Sequence, residues 1–193
     1  MQAIDEARLE TDLDYRYKYL AQFIGFTPDD VSAIQMAAPY LGPQIGELVE
    51  RTYQRLLSNN ATARHFIVRQ HGFEGQTPSS IEDLTAAHPQ IQFRKDHLSR
   101  YLMQLMGRSY DAKMVMYLDM VGKMHTPKAG NPQINIPLVQ MNAFMGFFAD
   151  LLVEVIGTLP LDSATQMKTI RAYCKLLWIQ NDLITRHYEG KAG

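Results

Sequence analysis

The chain has 193 residues, 46% of them hydrophobic and 20% charged, with a formal net charge of −1. That length suits one domain spanning residues 1–193, with a core of its own, and the near-neutral charge gives no bulk electrostatic case for nucleic acid or an anionic membrane. The single cysteine, Cys174, excludes an internal disulfide framework and agrees with a reducing, cytoplasmic compartment; the first residues lack the basic start and apolar run of a secretory signal.

Helical periodicity runs through nearly the whole chain, while alternating β-branched runs closed by tight glycine turns are absent. The first segment, about 13–26, carries Tyr17, Leu20 and Ile24 at helical steps. Thr27-Pro28-Asp29-Asp30 reads as a helix start: threonine can cap, proline suits the first turn, and the aspartates favour the positive end of the dipole. Pro39 and the Gly42-Pro43 pair predict a break before a helix over about 44–58, whose stripe is Ile45, Val49, Tyr53 and Leu56. A short helix is expected over 61–68, and 70–80 is the least regular stretch. From about 86 or 89 to 106 a helix carries Ile91, Leu98, Tyr101, Leu102 and Leu105, and its run Arg94-Lys95-Asp96-His97 reads as a solvated face.

Ser109 is expected to cap a helix ending near His125. After a loop with Pro127, Gly130, Asn131 and Pro132, a long helix over about 136–157 turns Met141, Phe144, Phe148, Leu151, Leu152 and Val155 inward. The apolar stretch 134–156 is interrupted by Asn135, Gln140, Asn142, Asp150 and Glu154, which reads as too polar to cross a bilayer. Pro160 ends that helix, and Asp162 or Ser163 caps the last one, lined by Met167, Ile170, Cys174, Leu177 and Ile184. The prediction is an all-α protein of seven or eight helices, with eleven methionines supplying adaptable packing.

Two residues on these faces can carry chemistry. Met114, Leu118, Val121 and His125 recur at four, three and four residues, so His125 continues an apolar helical face. It falls in the last turn, because Thr126-Pro127 disfavours further helix. There one ring nitrogen can bind a metal while the other N–H bonds a freed backbone carbonyl; the same placement equally suits a half-buried histidine held by a carbonyl alone. Tyr53 points inward from its stripe, and its hydroxyl needs either a backbone or water partner or a bound ligand. His65, His71 and His88 lie in or beside loops, and His97 lies among polar neighbours. Zinc-ligand spacings, Gly-rich phosphate loops and a nucleophile elbow are absent.

Three blocks of the sequence resemble the protoglobins and, more distantly, the input domains of globin-coupled sensors. They are Thr27-Pro28-Asp29-Asp30 through Ile34-Gln35 and Tyr53 to Phe66; Gly107-Arg108-Ser109-Tyr110-Asp111 with Tyr117, Gly122 and His125; and Ile136-Pro137-Leu138 with Ala143-Phe144. The resemblance implies an enlarged three-over-three globin sandwich, with residues 1–26 as an N-terminal extension and a helix before the first standard one. It implies haem b with His125 as proximal iron ligand. It also puts Tyr53 on the distal side, Phe66 against the haem and Phe144 over the distal face, with Thr52, Leu98, Phe148 and Ile136 completing the pocket. Enclosure of the haem falls to segments 1–12, 70–80 and 127–135. Thr52 stands where the family often has tryptophan, Leu98 where it often has phenylalanine, Phe148 where it has a smaller aliphatic residue, and Thr126 where a second histidine often follows the ligand. These departures reshape the pocket and its gate.

The function so implied is reversible binding of O2, CO or NO. A gas-sensor domain uses the same haem but acts through a partner, since no output module follows the last helix. A haem-free helical interaction protein would use the apolar stripes only as core. No positioned acid–base pair argues for a dedicated reaction, although an open iron position permits slow peroxidation or nitric oxide dioxygenation. Surplus apolar residues on the last two long helices, Met145, Phe147, Trp178 and Ile179 among them, point to a twofold-symmetric homodimer.

Overall fold

Side-chain caps decide where the helices of this chain begin. The computed structural model describes residues 3–188. Its helices are α1 (Glu6–Thr11), α2 (Leu13–Ile24), α3 (Pro28–Leu41), α4 (Ile45–Leu57), α5 (Asn60–Ala63), α6 (Pro89–Gly107), α7 (Ala112–Lys123), α8 (Leu138–Thr158) and α9 (Ser163–Thr185), with 3-10 turns at Gly42–Gln44, Arg64–Phe66 and Pro127–Ala129. No strand occurs among the described residues. The nine helices among those residues exceed the expected seven or eight because α1, a piece of 6 residues before the first expected helix, is a separate helix.

Asp5, Asp12, Asp111 and Asp162 each accept a hydrogen bond from the backbone N–H three residues on, satisfying a donor the helix cannot. At α3 the Asp30 carboxylate accepts from the Thr27 N–H at 2.8 Å and from its hydroxyl at 3.2 Å, so the predicted start is correct but the threonine donates. Asp111, not Ser109, caps α7. Pro39 does not end α3, which continues through it to Leu41. Both Pro39 and Gln35, whose carbonyl loses its helical partner, face solvent, so water satisfies the freed acceptor. Gly25 closes α2 in the left-handed conformation at φ 73°, and the Phe26 N–H returns to the Ala21 carbonyl at 2.8 Å.

Helix α9 is the centre of the assembly, packed by α2, α3, α7 and α8, while α4 packs on α6 and more lightly on α8. Neighbours on several sides give α9 a wide buried face: Ala172, Tyr173, Leu176, Leu177, Ile179, Gln180, Leu183 and Ile184. Met167 and Cys174, expected on that face, are exposed, and Ile179, expected outside it, is fully buried. Arg16 on α2 forks onto Asp182 at 2.6 and 2.9 Å, and Lys175 reaches both the Asp30 carboxylate and the Gly25 carbonyl, so two partly buried ion pairs tie the N-terminal helices to α9. By length and composition alone α8 is apolar enough to cross a membrane, contrary to the sequence expectation. Its apolarity serves the core here, where Met141, Phe148, Leu151, Leu152, Val155 and Ile156 are buried.

Candidate functional site

His125 lies just past the end of α7, half-buried, with its N–H donating to the Gly122 carbonyl at 3.2 Å. Its ring Nδ1 stands 2.8 Å from the Val121 carbonyl. Only a protonated nitrogen can donate to a carbonyl, so the contact selects the Nδ1–H tautomer and leaves the Nε2 lone pair outward. No described residue hydrogen-bonds Nε2. Burial holds the imidazole below its usual pKa, which keeps it neutral and able to ligate. The surrounding turn is pinned as well: the Ile136 N–H donates to the His125 carbonyl at 3.1 Å, and the buried Thr126 hydroxyl donates to the Lys123 carbonyl at 2.9 Å.

The position of α7 is set by backbone contact. A Cβ on Gly122 would meet the Leu183 carbonyl oxygen at 2.6 Å and the Ile184 Cα at 2.8 Å, so only glycine lets α7 approach α9 this closely. Three residues later the chain presents His125.

Tyr53 comes from the buried face of α4, formed by Ile45, Leu48, Val49, Thr52 and Tyr53. Its ring packs edge-on against Phe66 with centroids 5.7 Å apart. Its hydroxyl has no hydrogen-bond partner among the described residues. Burial raises the phenol pKa far above neutrality, so the hydroxyl remains a donor. The neighbouring Thr52 is fully buried, and its hydroxyl is also unpartnered. Phe66 sits on a 3-10 turn held by Gln90, whose amide donates to the Phe66 and Val68 carbonyls at 2.7 and 3.2 Å and accepts from the Gln70 N–H at 3.1 Å.

The run read as a solvated face divides. Asp96 and His97 are exposed, as expected, but Lys95 is buried against Glu50 at 2.6 Å and Arg94 is turned inward. The Arg94 guanidinium carbon lies 5.0 Å over the Phe66 ring. Its positive charge works against protonation of the His125 ring and, by favouring the phenolate, partly offsets the effect of burial on Tyr53. Leu98, one turn on from Arg94, and Phe144 are half-buried against the core; Phe144 stacks on Phe148 at 5.8 Å. Phe148 itself is buried beside a gap of about 10 Å³ between Leu48, Leu102 and Leu152. A surface cleft of about 460 Å³, between the Thr11–Asp14 turn and the start of α7, contains none of the candidate residues.

The donor set fits a haem. A neutral imidazole with a free, oriented Nε2 is the axial ligand that a porphyrin iron needs. Among the described residues no three His, Cys, Asp or Glu side chains converge to hold a bare ion. Phe66 is buried and Leu98 and Phe144 are half-buried against the core, and the Tyr53 hydroxyl has no hydrogen-bond partner among the described residues. Gln90 and Arg94 escaped the sequence reading: each lies in a polar stretch at or near a helix start, and only the packing of the 64–70 segment buries them.

A family model described as Protoglobin matches residues 13–192. No curated protein matches the chain. Among solved structures, the chain is similar to the globin domain of the Geobacter sulfurreducens globin-coupled sensor, with a TM-score of 0.69 and 19% identity over 89% of this chain and 97% of that one.

Proposed function

Since the chain belongs to the protoglobin family and has the globin fold with an extra N-terminal helix, we propose that it binds haem b through Nε2 of His125 and reversibly holds a diatomic gas, O2, CO or NO, beside Tyr53. The observation that carries this reading is the His125 ring, pinned by the Val121 carbonyl with Nε2 unengaged. The haem, once bound, supplies an iron with one open coordination position. The chain's own part is to orient the imidazole, keep it neutral, wall the site with Phe66, Leu98 and Phe144, and offer a hydroxyl proton from Tyr53. The solved neighbour is the globin domain of a sensor, which favours, as a second reading, gas sensing by the same site through a partner. The protein in this proposal is cytoplasmic and a homodimer through α8 and α9, whose Val139, Val153, Met167 and Trp178 are exposed apolar side chains.

Titration of the purified protein with haemin tests the proposal. A sharp Soret band saturating at one equivalent, shifting on reduction and again under CO, is expected. A broad spectrum of free haemin at every ratio would sink it and leave a helical interaction protein.

A further inference from the structure

Arg94 is a cation in the wrong place for a solvated helix. The side chain is half-buried, its Nε is fully enclosed without a hydrogen-bond partner, and among the described residues the one hydrogen bond from the guanidinium is Nη2 donating to the Val68 carbonyl at 2.9 Å. No carboxylate among the described residues pairs with it, whereas Lys95 beside it has Glu50. Burying an uncompensated charge is costly, and proteins normally supply a counter-ion or lose the charge. Burial does push the Arg94 pKa down, but an arginine stays protonated in proteins. The guanidinium lies over Phe66, which in turn touches Tyr53, so a fixed positive charge and the free Tyr53 hydroxyl share one neighbourhood. Arg94 and Leu98 are one helical turn apart and present the same face of α6.

We propose that Arg94, with the Tyr53 hydroxyl, forms an anion-binding site on the ligand side of the pocket, selecting small monoanions such as fluoride, azide or nitrite at ferric haem. The proposal rests on the haem reading above. The unpaired Nε–H and the phenol O–H are two donors with no acceptor among the described residues, and an anion is the acceptor that also neutralises the guanidinium. A neutral ligand can accept from the Tyr53 hydroxyl but does not neutralise the guanidinium. The site would thus discriminate by charge, through a residue that the sequence reading assigned to solvent. A haem propionate has the same anionic chemistry, and the test separates the two sources.

Wild type, Arg94→Gln and Arg94→Lys are reconstituted with haemin, and fluoride, azide and imidazole are titrated while the ferric spectrum is followed. Haemin transfer to apomyoglobin is timed in parallel. In Arg94→Gln the fluoride and azide dissociation constants should rise roughly ten- to hundred-fold, the range for a hydrogen bond to a charged group, with imidazole affinity and haemin transfer within a factor of about three. Arg94→Lys, which keeps the charge, should recover part of the loss. Faster haemin transfer with unchanged anion affinity would identify a propionate partner and overturn the proposal. So would no change in any quantity, which would make Arg94 a strut for the Val68 carbonyl. Failure of the wild type to form a Soret band would instead defeat the haem reading itself.

Discussion

The Tyr53 phenol keeps its proton at any physiological pH, and no described residue competes for it. O2 held beside that hydroxyl is a good acceptor and CO a poor one, so the two gases report differently on the same group. Tyr53→Phe retains the ring packed on Phe66 and removes only the donor. The variant should release O2 faster by roughly ten- to hundred-fold, the worth of a hydrogen bond to a partly charged partner, with CO release nearly unchanged in flash photolysis. Equal effects on both gases would show a steric gate, and no effect would show that the hydroxyl plays no part in ligand binding. His125→Ala removes the Nε2 donor, and no described residue hydrogen-bonds that atom in its place. The reconstituted variant should lose the wild-type ferrous and CO spectra, with recovery on adding millimolar imidazole. Retention of those spectra without imidazole would assign the ligand elsewhere, with His97 the next residue to test.

Among the elements, α7 sets the position of His125, just past its end, and depends on one glycine. Gly122→Ala places a Cβ against α9 backbone, which cannot rotate away, so the two helices must part. Overpacking of this kind costs about 1–3 kcal/mol, and for a chain of this size each kcal/mol lowers the melting temperature by about 2–4 °C. The shift also displaces His125, three residues on. The variant is therefore expected to melt earlier and to release haemin faster. Gly107→Ala, where a Cβ meets open space, is the control and should leave haemin release unchanged. Equal haemin release in both variants would show that the contact is structural only.

Across the whole molecule, the pairs Arg16–Asp182 and Asp30–Lys175 attach α2 and α3 to α9 over long sequence separations. Burial alone would raise the Asp30 carboxyl, but Lys175 and the Thr27 donors outweigh it and hold the pKa below the usual carboxylate value. The folded chain thus binds this proton less readily than the unfolded one. The stabilisation is complete above about pH 4, the unfolded carboxylate value, and disappears as pH falls through the lower folded value. Asp30→Asn strands Lys175 and should cost about 3 kcal/mol near neutrality, while flattening the acid limb of the stability curve. An unchanged acid limb in urea melts at successive pH values would remove Asp30 from the account. Assembly belongs to the same scale: with Trp178 67% exposed and Val139 72% exposed, light scattering at micromolar concentration should report a dimer. A monomer under those conditions would contradict that part of the proposal.

The all-helical class and most helix limits followed from the chain alone, because they depend on local periodicity and capping chemistry. Tyr53 and His125 each continue an apolar stripe, and the Thr126-Pro127 pair that stops α7 also frees the Val121 carbonyl for the imidazole. Local rules went astray wherever the outcome depended on what lay opposite. Pro39 stayed within α3 because the Gln35 carbonyl it leaves unpaired faces water; Met167 and Cys174 turned outward because α9 is packed from other directions; Lys95 was buried and Arg94 half-buried because Glu50 and the 64–70 segment cover them. A charge run on a helix has the same sequence signature whether water or protein faces it. Spacing determined which face each residue joined, and only the tertiary structure decided which charges that face would have to hold without water.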